Sequence, residues 1–210
     1  MPHTGDIHFH CACGAVRGRL RGPLSGHGIR FTCCCDDCQV SACHLGRGDI
    51  LDANGGTDSY HADSSRLDIA DGLDRLATLR VARIGTRPLL RWYCRTCKSP
   101  LFSTYDTSRR SLFSLVLANV APADRDRIVG PSTGIIWRKF ALGDVSGRKN
   151  ANLFAILWRL FGRQISARVS GDYRNTPLFD RATGAPIVAP HMLSSEERAT
   201  ADAARLNNHR

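Results

Sequence analysis

Two close pairs of cysteines, far apart along the chain, constrain this sequence more than any other feature. Cys11 and Cys13 are separated by one residue, and Cys94 and Cys97 by two. Four soft thiolates from two such pairs are the ligand set of a closed tetrahedral zinc site. Closing the loop of 81 positions from Cys13 to Cys94 costs about 4 kcal/mol, whereas structural zinc contributes about 10–16 kcal/mol. The sequence therefore predicts one structural zinc with these four ligands.

A second group of cysteines lies within six positions of one another. Cys33, Cys35 and Cys38 have the spacing Cys-x-Cys-x-x-Cys. Three thiolates from one tight loop leave the fourth position of a zinc ion for water or a substrate, which is the layout of a catalytic site. We therefore predict a second, functional zinc held by these three residues. Cys34 is expected to point away from the metal, although a register in which it replaces Cys33 or Cys35 stays open.

Other polar residues near the cysteines receive simpler interpretations. Asp36 and Asp37 are interpreted either as supporting groups around the metal or as solvated loop residues. Cys43 is assigned to packing, because isolated cysteines are commonly small buried side chains. His44 could supply a fourth ligand or a general base, but a structural or solvated role is the simpler interpretation. The same interpretation is given to the remaining nearby histidines: His8, His10 and His27.

The composition indicates a globular protein of a reducing compartment. A chain of 210 residues with 42% hydrophobic residues can bury a core. The first ten residues contain no basic patch followed by an apolar run, so no export signal is predicted. We expect a cytoplasmic protein without disulfides, because the cytosol keeps thiols reduced. The most apolar stretch, Ala151–Phe161, is far shorter than the roughly 20 residues of a membrane span.

The formal net charge of +10 favours anionic partners without selecting one of them. Lysine and arginine are spread along the chain, and no nucleic-acid-binding signature accompanies them, so a nucleic-acid partner is disfavoured. The segment Gly143–Lys149 lacks the spacing of a phosphate-binding loop. Nucleotide hydrolysis is therefore not indicated. The sequence contains no internal repeat or coiled coil that would define an oligomeric state.

Short β-type runs separated by Gly, Asp and Asn fill the first half of the chain, and Asn54-Gly55-Gly56 is a strong turn signal. This spacing predicts a mainly β fold. The predicted strands are Ala15–Leu20, Ile29–Cys33, Leu67–Ile69, Leu76–Ala82, Leu89–Tyr93 and Leu112–Asn119.

The second half of the chain changes character and becomes helical. From Asn150, apolar residues recur at helical spacing with arginines between them, which predicts an amphipathic helix over about 150–170. A core-packing role is the simpler interpretation of this helix, and a membrane-surface role is the alternative. Ser194 and Glu197 form a possible capping box for a tail helix over Ser194–Arg205. We therefore predict a zinc-binding β domain at 7–120 and a helical extension at 121–210.

Three motifs together resemble one known family, the glutathione-dependent formaldehyde-activating enzymes, which include centromere protein V. The likeness spans about residues 7–120. Segments 36–39, 45–47 and 52–58 further resemble a bacterial branch of this superfamily without an established activity. The motifs are Cys11-x-Cys13-Gly14-Ala15-Val16-Arg17, Cys33-x-Cys35-x-x-Cys38 and Trp92-Tyr93-Cys94-x-x-Cys97-x-x-Pro100-Leu101.

The resemblance implies a β-tent fold, in which two small antiparallel sheets are held by the four-cysteine zinc. It implies the same division of ligands, with the first four cysteines structural and the other three around the functional zinc. The implied chemistry is that of a carbon–sulfur lyase: glutathione adds to formaldehyde to give S-hydroxymethylglutathione. One departure is Lys98, at a position where the family usually has a glycine that favours a tight turn.

Two functions of different classes follow from these features. The first is a zinc-dependent carbon–sulfur lyase that acts on thiol–aldehyde adducts of the glutathione and formaldehyde type. The second is a non-catalytic, zinc-stabilised binding module that presents a basic surface to a protein or a nucleic acid. Zinc content and thiol–aldehyde turnover distinguish the two.

Overall fold

The structure is a computed structural model that describes residues 5–22, 28–81 and 89–207. Within these ranges it contains eleven strands and four helices. The strands are β1 (Ile7–His10), β2 (Arg17–Leu20), β3 (Ile29–Cys33), β4 (Thr57–Asp63), β5 (Leu67–Asp71), β6 (Leu76–Arg80), β7 (Leu90–Cys94), β8 (Pro100–Thr104), β9 (Leu112–Val116), β10 (Ile135–Ile136) and β11 (His191–Met192). The helices are α1 (Asp36–His44), α2 (Pro122–Asp124), α3 (Leu153–Ser170) and α4 (Ser195–Asn207).

The strands form two sheets of different size. The smaller sheet has the order β1-β2-β5, and the larger has the order β10-β3-β4-β9-β8-β7-β6-β11. Neighbouring strands are antiparallel, except that β10 and β11 run parallel to β3 and β6 at the two ends of the larger sheet. Both of these short edge strands lie beyond residue 120.

The main hydrophobic core lies between the two sheets. Phe9 of the smaller sheet packs edge-on against Phe102 of the larger one, with ring centroids 6.1 Å apart. Trp92 and Phe113 belong to the same buried cluster. Because side chains alternate between the two faces of a strand, the opposite face of the larger sheet is available for other contacts. On β4, Tyr60 belongs to the core, whereas the flanking residues point away from it.

The predicted mainly β fold with added carboxy-terminal helices is confirmed. The predicted bounds of β3 match the structure, and five further strands overlap their predicted ranges. The larger sheet is more extensive than the small sheet that the resemblance implies. The elements that were not predicted are strands β1, β4, β8, β10 and β11 and helices α1 and α2. Of the predicted residues, Ala82 and His27 lie outside the described ranges.

Helix α3 leaves most of its apolar side chains exposed, which differs from the expected core-packing role. Only Ile156 and Ala167 of this helix are buried. Phe154 is 77% exposed and Trp158 is 68% exposed. Within the described ranges, no helix combines the length and the apolar character needed to cross a membrane. The domain boundary near residue 120 stays a prediction, although segments beyond it add strands to the larger sheet.

Candidate metal centres and the adjoining cavity

The first cysteine group joins the two sheets. Cys11 directly follows β1, and Cys94 is the last residue of β7. The Sγ atoms of Cys11 and Cys13 are 3.5 Å apart, and those of Cys13 and Cys94 are 3.9 Å apart. All four sulfur atoms, including that of Cys97, lie within 4.8 Å of one another. Sulfurs bound to tetrahedral zinc at 2.3 Å would be about 3.8 Å apart, so this group could hold a metal ion.

Tight backbone turns aim these thiols at one point. In the first turn, the Cys11 N–H donates to the carbonyl of Val16. In the second, the Lys98 N–H donates to the carbonyl of Cys94, and the Cys94 N–H donates to the carbonyl of Ser99. Lys98 adopts φ 59°, in the left-handed region that favours glycine. Lys98 therefore adopts the backbone conformation that glycine favours in this turn, and this causes some backbone strain.

Ser99 is a fully buried residue in the second turn, and its hydroxyl contacts both turns of the four-cysteine group. Its hydroxyl accepts hydrogen bonds from the Ala12 N–H at 3.0 Å and from Arg47 at 2.6 Å. Both partners can only donate, so the hydroxyl proton is left to point at Cys97 Sγ, 3.3 Å away. Neither Ser99 nor Arg47 was predicted as a site residue, because a serine after a Cys-x-x-Cys turn has no distinctive spacing.

The pKa values of Cys11 and Cys97 are shifted in opposite directions. Burial raises the pKa of Cys11 to about 12. Burial also acts to raise the pKa of Cys97, but hydrogen bonds from Ser99 and Cys13 outweigh it and lower the value to about 6. Without a bound metal ion, Cys97 is therefore deprotonated more readily than Cys11.

The second cysteine group is built by one loop between a strand and a helix. Cys33 ends β3, Cys35 immediately precedes α1, and Cys38 lies in the first turn of that helix. The Sγ atoms of Cys33 and Cys38 are 3.8 Å apart, and all three sulfurs lie within 4.8 Å of one another. Cys34 is buried outside this group, and its N–H donates to the carbonyl of Ile136. The group could hold a metal ion, and its role as the functional centre stays a prediction.

A cavity of about 150 Å³ opens beside the three-cysteine group. The three thiols form part of its wall, and the second face of the larger sheet forms another part. Trp137, which is 48% exposed, lines it together with Ile136. Trp137 follows β10 and adopts φ 59°, a strained conformation for a bulky residue. The carboxy-terminal extension therefore completes a cavity whose other lining residues belong to the first 120 positions.

Four polar residues form a row across the sheet beneath this cavity. His61 on β4 pairs with Ser114 on β9, Ser114 pairs with Ser103 on β8, and Ser103 pairs with Arg91 on β7. Directly opposed residues of antiparallel strands share one face, and all four line the cavity. Arg91 Nη1 donates to Ser103 Oγ at 2.9 Å. Burial and the charge of Arg91 lower the pKa of His61 to about 3, so its imidazole is neutral.

The arginine of the row also acts on the cysteines. After the hydrogen bonds from neighbouring thiols, its positive charge is a further cause that lowers the pKa of Cys38. In return, the thiolates raise the pKa of Arg91 despite the opposing effect of burial. The cavity therefore contains a permanent positive charge close to three potential thiolates.

Helix α4 packs against α1 and places an arginine at its acidic first turn. Arg198 contacts carboxylate oxygens of Asp36 and Asp37, each at 3.3 Å. Burial is the main cause that raises the pKa of Asp37. Both aspartates are thus engaged by the protein itself. From the same helix, Arg205 donates to Gln39 Oε1 at 3.1 Å.

A third group of possible ligands is assembled by the tail. His44, at the end of α1, lies near His191 and Glu197 with ligand atoms within 4.8 Å of one another. His191 Nε2 and Glu197 Oε1 are 2.9 Å apart, so these two residues already share a hydrogen bond. Cys43 packs beside a small hydrophobic cluster, as predicted. His44 is not among the potential ligands of the three-cysteine group.

Comparison with known proteins places the chain in a family. The model of a family of unknown function, DUF6151, matches residues 5–189. The chain belongs to this family. The DUF6151 match includes both cysteine groups and ends before His191. A search of curated proteins found no match.

One solved structure resembles this DUF6151 chain weakly. It is a Rhodobacter sphaeroides protein from a structural genomics programme, with 21% sequence identity and a TM-score of 0.38. The likeness covers 60% of this chain and 97% of that protein. At this TM-score it supports no argument about fold or function.

Proposed function

We propose that this chain is a zinc protein whose three-cysteine group forms an open site for thiol–aldehyde chemistry, as in a carbon–sulfur lyase. The four-cysteine group would hold a structural zinc. The observation that carries the proposal is that Cys33, Cys35 and Cys38 converge in the wall of a cavity. A zinc ion with three protein ligands keeps one position for a substrate, and the cavity gives a small molecule access to that position.

Zinc suits the donor atoms of both groups. Thiolates are soft ligands that favour zinc over hard cations, and the sulfur separations of 3.5, 3.8 and 3.9 Å are close to those of a tetrahedral site. A closed four-thiolate set is typical of a structural ion, and a three-thiolate set of one that binds a further ligand. Free thiols also require a reducing compartment, so we propose a cytoplasmic location.

The proposed reaction is the addition of a thiol to an aldehyde, or its reverse. When bound, zinc would lower the pKa of the substrate thiol and polarise the aldehyde oxygen. The sulfur–carbon bond forms, the carbon–oxygen double bond becomes single, and the thiol proton ends on oxygen. The chain itself would contribute the positive charge of Arg91, the neutral imidazole of His61 and a cavity that limits the access of water.

Glutathione and formaldehyde enter this proposal through the resemblance of the cysteine motifs to the formaldehyde-activating enzymes. The match of Cys11-x-Cys13-Gly14 and Cys94-x-x-Cys97 supports the structural site. The motif Cys33-x-Cys35-x-x-Cys38 extends the resemblance to the three-cysteine group. We therefore take a thiol–aldehyde adduct as the substrate class, with glutathione as the first thiol to test.

A non-catalytic binding module is the second candidate, and helix α3 favours it. Several large apolar side chains of this helix are exposed on a chain with a net charge of +10. Contiguous exposed apolar surface commonly marks an interaction site. In this alternative both metal ions would be structural, and α3 would bind a protein partner.

Metal analysis of variants tests the proposal. The purified chain should contain two zinc ions and little iron. Cys35→Ser should lose one zinc and all thiol–aldehyde turnover while it keeps the circular dichroism of the β fold, because its site closes only a local loop. Cys94→Ser should lose soluble folded protein, because it disrupts the closed site.

Two cysteines provide controls for this experiment. Cys43→Ser and Cys34→Ala should retain both zinc ions and full turnover; loss of one zinc from Cys34→Ala would show that the register is wrong. Turnover is followed by nuclear magnetic resonance with ¹³C-formaldehyde and glutathione. A folded chain with two zinc ions that converts no thiol and aldehyde would rule out the lyase and favour the binding module.

A further inference from the structure

Two buried polar atoms on the cavity face of β4 lack partners among the described residues. They are Thr57 Oγ1 and His61 Nδ1, and both residues line the cavity beside the three-cysteine group. A buried polar atom without a hydrogen bond costs about 1–3 kcal/mol, so such atoms are rare in native proteins. Their shared location indicates a cavity that receives polar groups from a ligand or from water.

Arg91 gives the cavity one side chain that can bind an anionic group of a ligand. Among its described lining residues, Arg91 carries a permanent positive charge and none is a carboxylate. A guanidinium has five N–H donors and binds carboxylates through two parallel hydrogen bonds. Arg91 donates one hydrogen bond to Ser103, which fixes the orientation of the guanidinium and leaves donors for a ligand.

The size of the cavity restricts the ligand further. A volume of about 150 Å³ matches a cavity that encloses a benzene-sized molecule, with about six non-hydrogen atoms. A tripeptide such as glutathione is several times larger, so only its thiol-bearing part could enter. A molecule that reaches both the thiols and Arg91 from inside the cavity must be short.

From these features we propose that the cavity binds a short thiol that carries a carboxylate. The thiol would take the open position at Cys33, Cys35 and Cys38, and the carboxylate would bind Arg91. The hydroxyl of Thr57 and the imidazole of His61 would contact the remaining polar atoms of the ligand or of its aldehyde adduct. This inference rests on the proposed function, because it requires a metal ion at the three-cysteine group.

Calorimetry on the zinc-loaded full chain tests this inference with 3-mercaptopropionate, its uncharged amide and 2-mercaptoethanol. The acid should bind at least about tenfold more tightly than the amide, as expected for a charge-assisted hydrogen bond to an arginine that lines a cavity. Arg91→Gln should reduce this preference to near unity while the binding of 2-mercaptoethanol is retained. Arg109→Gln removes the same charge from an exposed position and should leave the preference unchanged.

The outcomes separate this inference from the function on which it rests. If all three thiols bind equally to the wild-type chain, the carboxylate site is wrong, but the open metal site stands. If Arg91→Gln keeps the full preference, another group recognises the carboxylate and the assignment is also wrong. If no thiol binds to a chain that contains two zinc ions, both proposals fail. The acid-to-amide ratio of the wild type tests whether the cavity has a carboxylate site even if Arg91→Gln does not fold.

Discussion

At the scale of single residues, the four-cysteine group depends on a side chain that is not a ligand. Ser99 contacts both turns of the group, the first through Ala12 and the second through Cys97, and it also contacts Arg47, which follows α1. Groups that hydrogen-bond to metal ligands orient them and stabilise their charged form. Ser99 therefore couples the geometry of the thiols to the segment that follows the second cysteine group.

Replacing this serine should weaken the site without removing a ligand. We expect Ser99→Ala to lower zinc affinity by about 10–100-fold and the free energy of unfolding by about 1–3 kcal/mol, because buried donors lose their acceptor. Competition with a chromophoric chelator and chemical denaturation measure the two effects. Ser146→Ala, in an exposed turn, is the matched control and should change neither. Wild-type zinc affinity in Ser99→Ala would show that the hydroxyl does not support the thiolates.

At the scale of elements, α1 and α4 form a helix pair that connects the tail to the cysteine loop. Arg198 is only 21% exposed, and its two partners Asp36 and Asp37 are 10% and 22% exposed. Removing a partner from a fully buried ion pair costs about 3–5 kcal/mol, because a charge is left uncompensated. The partial exposure of this cluster reduces the expected cost.

We expect Arg198→Ala to lower the free energy of unfolding by about 2 kcal/mol while two zinc ions stay bound. Arg127→Ala provides the comparison, since it breaks the pair with Asp124 in which the arginine is 66% exposed. Such exposed pairs contribute about 0–1 kcal/mol. Urea denaturation at matched zinc concentration measures both variants. Equal destabilisation by the two substitutions would mean that the burial of the Arg198 cluster has no energetic consequence.

The elements that could be predicted from the sequence are those with a continuous apolar pattern or a marked cap. The bounds of β3 were predicted correctly, and Ser194 and Glu197 exchange the two hydrogen bonds of the predicted capping box. Strand β4 was missed because Thr57, Ser59 and His61 face the cavity, so polar residues occupy positions that a buried strand usually fills with apolar ones.

Some residues of the candidate site could be predicted from the sequence, and others could not. The cysteines that come together could be recognised because their spacing is itself the signal. Arg91 and His61 could not, because each is a single polar residue in its own strand. They acquire a shared role only when strand register places them in one row with Ser103 and Ser114. Register depends on long-range pairing, which the local sequence does not encode.

At the scale of the whole molecule, the carboxy-terminal extension supplies both edge strands of the larger sheet. Strand β10 lies along β3 at one edge, and β11 lies along β6 at the other. Unprotected sheet edges present unpaired N–H and C=O groups to other chains. The carboxy-terminal extension thus protects edges that the region up to residue 120 leaves open.

A chain truncated after residue 120 should therefore aggregate, even with zinc present and both cysteine groups intact. A chain that ends at residue 207 retains all described strands and helices and should stay soluble. Light scattering and size-exclusion chromatography at equal zinc and protein concentrations compare the two. A soluble, folded fragment of residues 7–120 would instead establish the predicted β domain as an independent unit.

The edge strands lie late in the chain, so the larger sheet is completed late during synthesis on the ribosome. The last strand of the central set, β9, ends at Val116, whereas β11 ends at Met192, which is 192 − 116 = 76 residues later. At about 5–20 residues per second, this interval lasts roughly 4–15 s. Strand β10 is made early in this interval, but β6 lacks its partner β11 until the end. Contacts of that edge with neighbouring nascent chains or with chaperones are therefore concentrated in this window.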